Sequence, residues 1–260
     1  LSIARETIID AVQQALAARP EVLAVWLEGS EATGSVDEYS DIDLCCSVSD
    51  LGALDGAVAC ARAALEGLGR LDLVGSEDRD SDMRSARFHL EGTSPYLLVD
   101  FDAYYRRGSA FTEGDEIEKP RVLFDRAGVV TFAPVDARAL REGHAARLEE
   151  LESMVAQHAR IEKYVRRGEF LEALGYYHRW LLAPLVEALR LRYTPLHPEY
   201  SIVHISRHLP AEVVRKVEDL FQISSLEEIE TKMPAALAWF EETDSYLRDA
   251  DLRAAGVRDQ

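Results

Sequence analysis

Cysteine is scarce in this sequence. The 260 residues hold three, two of them adjacent at Cys45 and Cys46. So few, so placed, cannot build a disulfide framework, and the thiols read as reduced core residues of a cytoplasmic protein. The seven histidines and three cysteines show no zinc-ligand spacing, which argues against a structural zinc. Long apolar runs are missing too. No stretch of eighteen apolar residues occurs, so no membrane-spanning helix and no membrane partner are expected. The opening Leu1-Ser2-Ile3-Ala4-Arg5 lacks the apolar stretch of a secretory signal, and none is expected.

Basic charge is in short supply. Acidic residues number 47 against 29 Lys and Arg, a net charge of −18. A general nucleic-acid binder displaces counterions with a basic face, so no nucleic-acid partner is expected here. Residues 1–135 carry most of the imbalance, with 25 acids and 12 bases. Such a surface reads either as a solvated acidic face that aids solubility or as a field that attracts cationic substrates. Two catalytic signatures are also absent. No Gly-x-x-x-x-Gly-Lys-Ser/Thr run is present, which excludes a Walker-type NTPase. No Gly-x-Ser-x-Gly elbow is present, which argues against an α/β-hydrolase.

What is present is globular: 47% hydrophobic and 29% charged residues, enough for a core in each of two small domains. Ile3, Ile8, Ile9, Val12 and Leu16 recur at helical spacing behind an N-cap at Ser2. Val22–Leu27 reads as a buried strand, and Gly29–Ser40 as a polar loop with at most one helical turn. Asp41–Val48 alternates as a strand, and Leu51–Leu68 is an Ala-rich helix. Leu71–Val74, Ala86–Leu90 and Tyr96–Tyr104 read as strands, the last two joined by a turn at Gly92–Pro95. Arg121–Phe124 and Val129–Phe132 flank another turn. Beyond residue 135 helical signals dominate: Asp136–Arg167, Glu169–Tyr193 with Pro184 kinking or dividing it, Pro210–Phe221 and Leu226–Leu247. The fold class is therefore α/β over 1–135, with a mixed sheet, followed by an all-helical domain over 136–260.

One constellation carries chemistry. The strand ending at Leu27 delivers Gly29-Ser30, and the next strand opens with Asp41-Ile42-Asp43-Leu44. Side chains alternate along a strand, so Asp41 and Asp43 share a face while Ile42 and Leu44 enter the core. Two carboxylates on one face repel unless a cation lies between them. Mg²⁺, a hard ion that takes carboxylate, phosphate and water oxygens, suits that role. Gly29 lets a backbone approach a phosphate closely. Ser30 can donate to that phosphate. A third carboxylate comes from Asp100 or Asp102, which share a face of the Tyr96–Tyr104 strand. Three carboxylates can hold two metal ions that clamp attacking and leaving oxygens.

These residues resemble the nucleotidyltransferase superfamily with the DNA polymerase β-like palm. The longer run Gly29-Ser30-Glu31-Ala32-Thr33-Gly34 with Ser40-Asp41-Ile42-Asp43-Leu44 is most similar to aminoglycoside nucleotidyltransferases and their bacterial relatives. Glu28 departs from the signature, which prefers a hydrophobic residue there. The resemblance implies transfer of an NMP, with AMP from ATP the expectation, to an acceptor hydroxyl with release of pyrophosphate. It implies that Asp41 and Asp43 bridge two Mg²⁺ ions and that Asp100, chosen over Asp102, holds one of them. It implies a palm domain at 1–135 and a helical acceptor-binding domain at 136–260. With the negative charge, it points to a small cationic acceptor such as an aminoglycoside, and so to antibiotic resistance. Adenylylation of a protein, as in toxin–antitoxin systems, and a catalytically silent nucleotide-binding module are the alternatives.

In the helical half, Glu172, Tyr176, Arg179, Glu187 and Arg190 recur along one face. They read either as a solvated stripe or as a wall for the acceptor, with Arg179 or Lys163 meeting phosphate and Glu172 acting on a hydroxyl. His178, His197, His204 and His208 read as packing or surface residues.

Overall fold

The computed structural model describes residues 3–105 and 110–254. The chain divides into two compact units, Leu1–Val135 and Asp136–Gln260. The first is mixed α/β and the second is helical.

In the first unit, α1 (Arg5–Ala17) leads into β1 (Val22–Leu27), the short helix α2 (Gly29–Thr33) and β2 (Ile42–Val48). Then come α3 (Ala53–Glu66), β3 (Leu71–Asp80), β4 (Met83–Leu90), β5 (Leu98–Tyr105), β6 (Ala110–Thr112), β7 (Arg121–Asp125) and β8 (Thr131–Ala133). Six strands form one sheet in the order β3-β4-β5-β2-β1-β7. β2 and β5 run parallel, whereas the other neighbours in that sheet are antiparallel. One face is covered by the apolar sides of α1 and α3. Ile8, Ile9, Val12, Leu16, Leu54 and Leu65 pack there against Val25, Leu27, Ile42, Leu44, Phe88 and Phe101. Each such buried side chain contributes about 1.5–3 kcal/mol. Among the described residues, the opposite face holds the smaller cluster of Ala24, Trp26, Cys45 and Phe111. Polar side chains therefore have room on that face.

In the second unit, α4 (Ala137–Val155), α5 (Ala159–Arg167), α6 (Phe170–Tyr177), a π-helical turn (His178–Leu182) and α7 (Ala183–Tyr193) follow in sequence. A 3-10 turn (Pro198–Tyr200), α8 (Ile205–His208), α9 (Ala211–Phe221) and α10 (Leu226–Ala254) complete it. Leu151, Ile161, Tyr177, Leu182, Leu189, Ile229 and Phe240 lie in its core.

Several expectations need correction. The expected N-cap Ser2 lies outside the described residues, and the cap position is Ala4, which makes no side-chain bond. β3 and β4 are longer than their apolar cores suggest and pair as a hairpin. The polar residues at their far ends carry no alternation to read. β7 and β8, on either side of Asp125–Gly128, go to different sheets. β7 joins β1, and β8 pairs in parallel with the unexpected β6. Residues 136–167 form two helices, and Asp136 caps the first by accepting from the Arg138 and Ala139 amides at 3.0 Å. Pro184 stands in the first turn of α7, and the stretch Glu169–Tyr193 is divided beside it into α6, the π-helical turn and α7, as a proline inside a helix leads one to expect. The wider π-helical turn lies just before it.

Candidate functional site

β2 and β5 lie side by side, and their register pairs Asp43 with Asp100 and Cys45 with Asp102. Ile42 and Leu44 are fully buried in the core, which turns Asp43 to the opposite face. Asp41 sits immediately ahead of β2 rather than inside it. Ligand oxygens of Asp41, Asp43 and Asp100 all lie within 4.8 Å of one another. Burial, and then the charges of Asp41, Asp100, Glu28 and Asp102, raise the Asp43 pKa from 3.8 to about 6. Like charges held this closely, partly out of water, disfavour ionisation. Their all-oxygen donor set fits a hard divalent cation.

Each remaining carboxylate has a distinct partner. Arg87 stands opposite Asp100 in the β4–β5 register and grips it with two parallel bonds, Nη2 donating to Oδ2 at 2.9 Å. Asp102, opposite Cys45, accepts a short bond from the Ser85 hydroxyl. The structure thus brings Asp100 into the group with Asp41 and Asp43, and sets Asp102 apart from it.

The Gly29-Ser30 turn lies against this group. Gly29 has φ +58°, and a Cβ added there would fall 2.2 Å from Asp43 Oδ2. Sequence reading ties this glycine to a phosphate, yet its first constraint is the Asp43 carboxylate. The Ser30 hydroxyl is buried and has no hydrogen-bond partner. A buried hydroxyl without a bond is costly, and a ligand oxygen would satisfy it.

Glu28 is a further carboxylate near Asp43. Its Oε1 accepts from the Trp26 indole at 2.7 Å, and its amide donates to the Asp43 carbonyl at 3.0 Å. Sequence reading treats it only as a departure from a signature. The period of two along β1 was the available signal, since it puts Glu28 on the face of Trp26. Arg5 and Arg87 also escape sequence reading, because neither belongs to a motif and both act across strands or helices distant in the chain.

Some of the helical candidates are engaged within the fold. Arg190 is fully buried and donates to the Ser201 carbonyl at 2.8 Å, to the Val203 carbonyl and to His208 Nδ1 at 3.0 Å. It belongs to the core, not to the expected stripe, because α7 is buried on nearly all sides. Glu187 is held by Arg147 at 2.7 Å. Arg179 lies over the Trp180 ring at 4.9 Å and Lys163 over Tyr164 at 4.5 Å. Glu172 is exposed and Tyr176 packs on Tyr164. His178 meets Phe221 edge-on, and burial lowers its pKa. Among the described residues no helix is long and apolar enough to cross a membrane.

No family model and no curated protein sequence matches the chain. Solved structures similar to it include an aminoglycoside 6-adenyltransferase from Bacillus subtilis, at 11% identity and TM-score 0.39, spanning 99% of this chain and 94% of that one. A poly(A) polymerase complex of GLD-2 with GLD-3 shares 12% identity at TM-score 0.29, over 88% of this chain and 69% of that one. JHP933 from Helicobacter pylori shares 12% identity at TM-score 0.28, over 99% and 100%. Overlap this slight leaves the functional assignment to the chain's own residues.

Proposed function

We propose that this chain is a metal-dependent nucleotidyltransferase. It moves an NMP, AMP from ATP in the leading case, to a hydroxyl of a small cationic acceptor such as an aminoglycoside. The gathering of Asp41, Asp43 and Asp100 beside the unpartnered Ser30 hydroxyl carries this reading. In the reaction an acceptor oxygen bonds to the α-phosphorus, the bond to pyrophosphate breaks, and the hydroxyl proton passes to solvent water.

Asp41, Asp43 and Asp100 would hold the Mg²⁺, and Asp100 would have to release Arg87 to take part. Bound there, the ions supply positive charge to the reacting oxygens. Ser30 donates to a triphosphate oxygen, and Gly29 keeps the turn open for Asp43. The net charge of −18 supports a cationic acceptor, and the helical unit 136–260 recognises it.

The test is pyrophosphate release from each labelled NTP with Mg²⁺ across a panel of aminoglycosides, other amino-sugars and neutral polyols. Acceptor-dependent release from ATP with a cationic acceptor is expected. Absence of release with every NTP, together with absence of NTP binding, overturns the reading.

A further inference from the structure

Arg5 opens α1, whose buried residues Ile8, Ile9, Val12 and Leu16 serve the core. Its guanidinium does something else. Nη1 donates to the Asp41 carbonyl at 2.5 Å, and Nη2 donates to the Ser40 carbonyl. The same Nη1 lies 3.3 Å from Glu31 Oε1. Glu31 follows Ser30 on α2 and is buried, with 8% of its surface exposed. Its second oxygen meets Arg121 Nη1 of β7 at 3.4 Å. A buried carboxylate is tolerable here because guanidinium groups flank it.

The placement matters because of where Asp41 sits. The β2–β5 register begins at Ile42, so the strand ladder does not hold the Asp41 backbone. The peptide carrying this carboxylate depends on bonds from outside the sheet, and Arg5 supplies one at its carbonyl. The planar fork of an arginine spreads its donors over separate nitrogens in fixed directions, whereas a lysine concentrates its donors on one rotatable ammonium.

We infer that Arg5 and Glu31 are positioning residues that tie the Ser30 turn to Asp41 and hold the hydroxyl and the carboxylate in one geometry. The inference rests on the metal-dependent reading given above. It adds that cation affinity is set partly by an arginine that touches no cation. Partners that orient metal ligands typically change metal affinity by 10–100-fold when removed.

Mn²⁺ binding to the full chain, followed by the electron paramagnetic resonance of the free ion, reads this out without turnover. Arg5→Met and Glu31→Gln weaken Mn²⁺ binding by roughly 10–100-fold, with Arg5→Lys in between. Arg126→Met is the control. Arg126 clamps the Ala17 carbonyl at the other end of α1, at 2.8 Å, and its removal leaves Mn²⁺ affinity unchanged. In turnover, Arg5→Lys raises the Mg²⁺ concentration for half-maximal rate and recovers its rate at saturating Mg²⁺. Wild-type affinity in Arg5→Met and Arg5→Lys overturns the inference and leaves the functional reading standing. Equal loss in Arg126→Met reduces Arg5 to a structural clamp and overturns it too. A wild-type protein that binds no Mn²⁺ removes the metal reading itself, and the inference with it. If Arg5→Met does not fold, Arg5→Lys carries the same comparison.

Discussion

Gly29 and Asp43 share a space that fits only one side chain: the Cβ missing at Gly29 would stand 2.2 Å from Asp43 Oδ2. The positive φ of +58° adds a second penalty for any L side chain there. Gly29→Ala therefore strains the turn and displaces the carboxylate. It costs on the order of 1–3 kcal/mol in urea unfolding and abolishes transfer. An alanine variant of wild-type stability and rate contradicts the geometry.

Asp43 makes the metal-free protein pH-sensitive. Its folded pKa, about 6, lies above its ordinary 3.8. A raised pKa means that the folded state holds the proton more tightly. The resulting stability is full below about pH 4 and is lost as pH rises through 6. Asp43→Asn abolishes activity yet makes the EDTA-treated protein more stable than wild type at pH 7.5, by about 2–3 kcal/mol at most. The gap closes towards pH 4. Urea midpoints at both pH values check this, and an unchanged gap refutes it.

Ser30→Ala removes a hydroxyl that has no partner in the folded chain. Stability in the absence of ligand should hold or rise slightly. Affinity for a non-hydrolysable ATP analogue with Mg²⁺ should fall by about 0.5–1.5 kcal/mol, or roughly 3 if the lost bond was to a charged oxygen. Calorimetric titration measures both arms. Unchanged affinity moves the phosphate elsewhere.

Arg87 competes with any cation that Asp100 holds, because it already occupies both oxygens of that carboxylate. Arg87→Gln frees that carboxylate, and the Mg²⁺ concentration for half-maximal activity drops. The pair is partly exposed, so the shift is modest, roughly 1.5- to 5-fold. A rise in the Mg²⁺ requirement would assign Arg87 to substrate binding instead.

Much of the site was legible because strand alternation is local. Asp43 opposite Ile42 and Leu44, and Asp100 sharing a face with Asp102, follow from a period of two within a few residues. The helix over residues 5–17 and the strand Val22–Leu27 follow from equally local patterns. The helical stripe misled for a related reason. A period of 3.6 shows which residues share a face, but not whether another element covers it, and Arg190 is covered.

The sequence alone therefore determined the α/β-then-helical order, the carboxylate faces and the Gly-Ser turn, all set by chemistry between near neighbours in the chain. Strand alternation leaves Asp100 and Asp102 on one face, and the tertiary structure sets Asp100 beside Asp43. The parallel β2–β5 register that decides it joins strands with two others, β3 and β4, between them in the chain. It alone decided that Gly29 yields its space to Asp43, that Arg5 reaches Asp41 and that Arg190 is buried. Each of these depends on which distant segments pack together, and that is settled by burying apolar surface across the whole unit rather than by any local pattern.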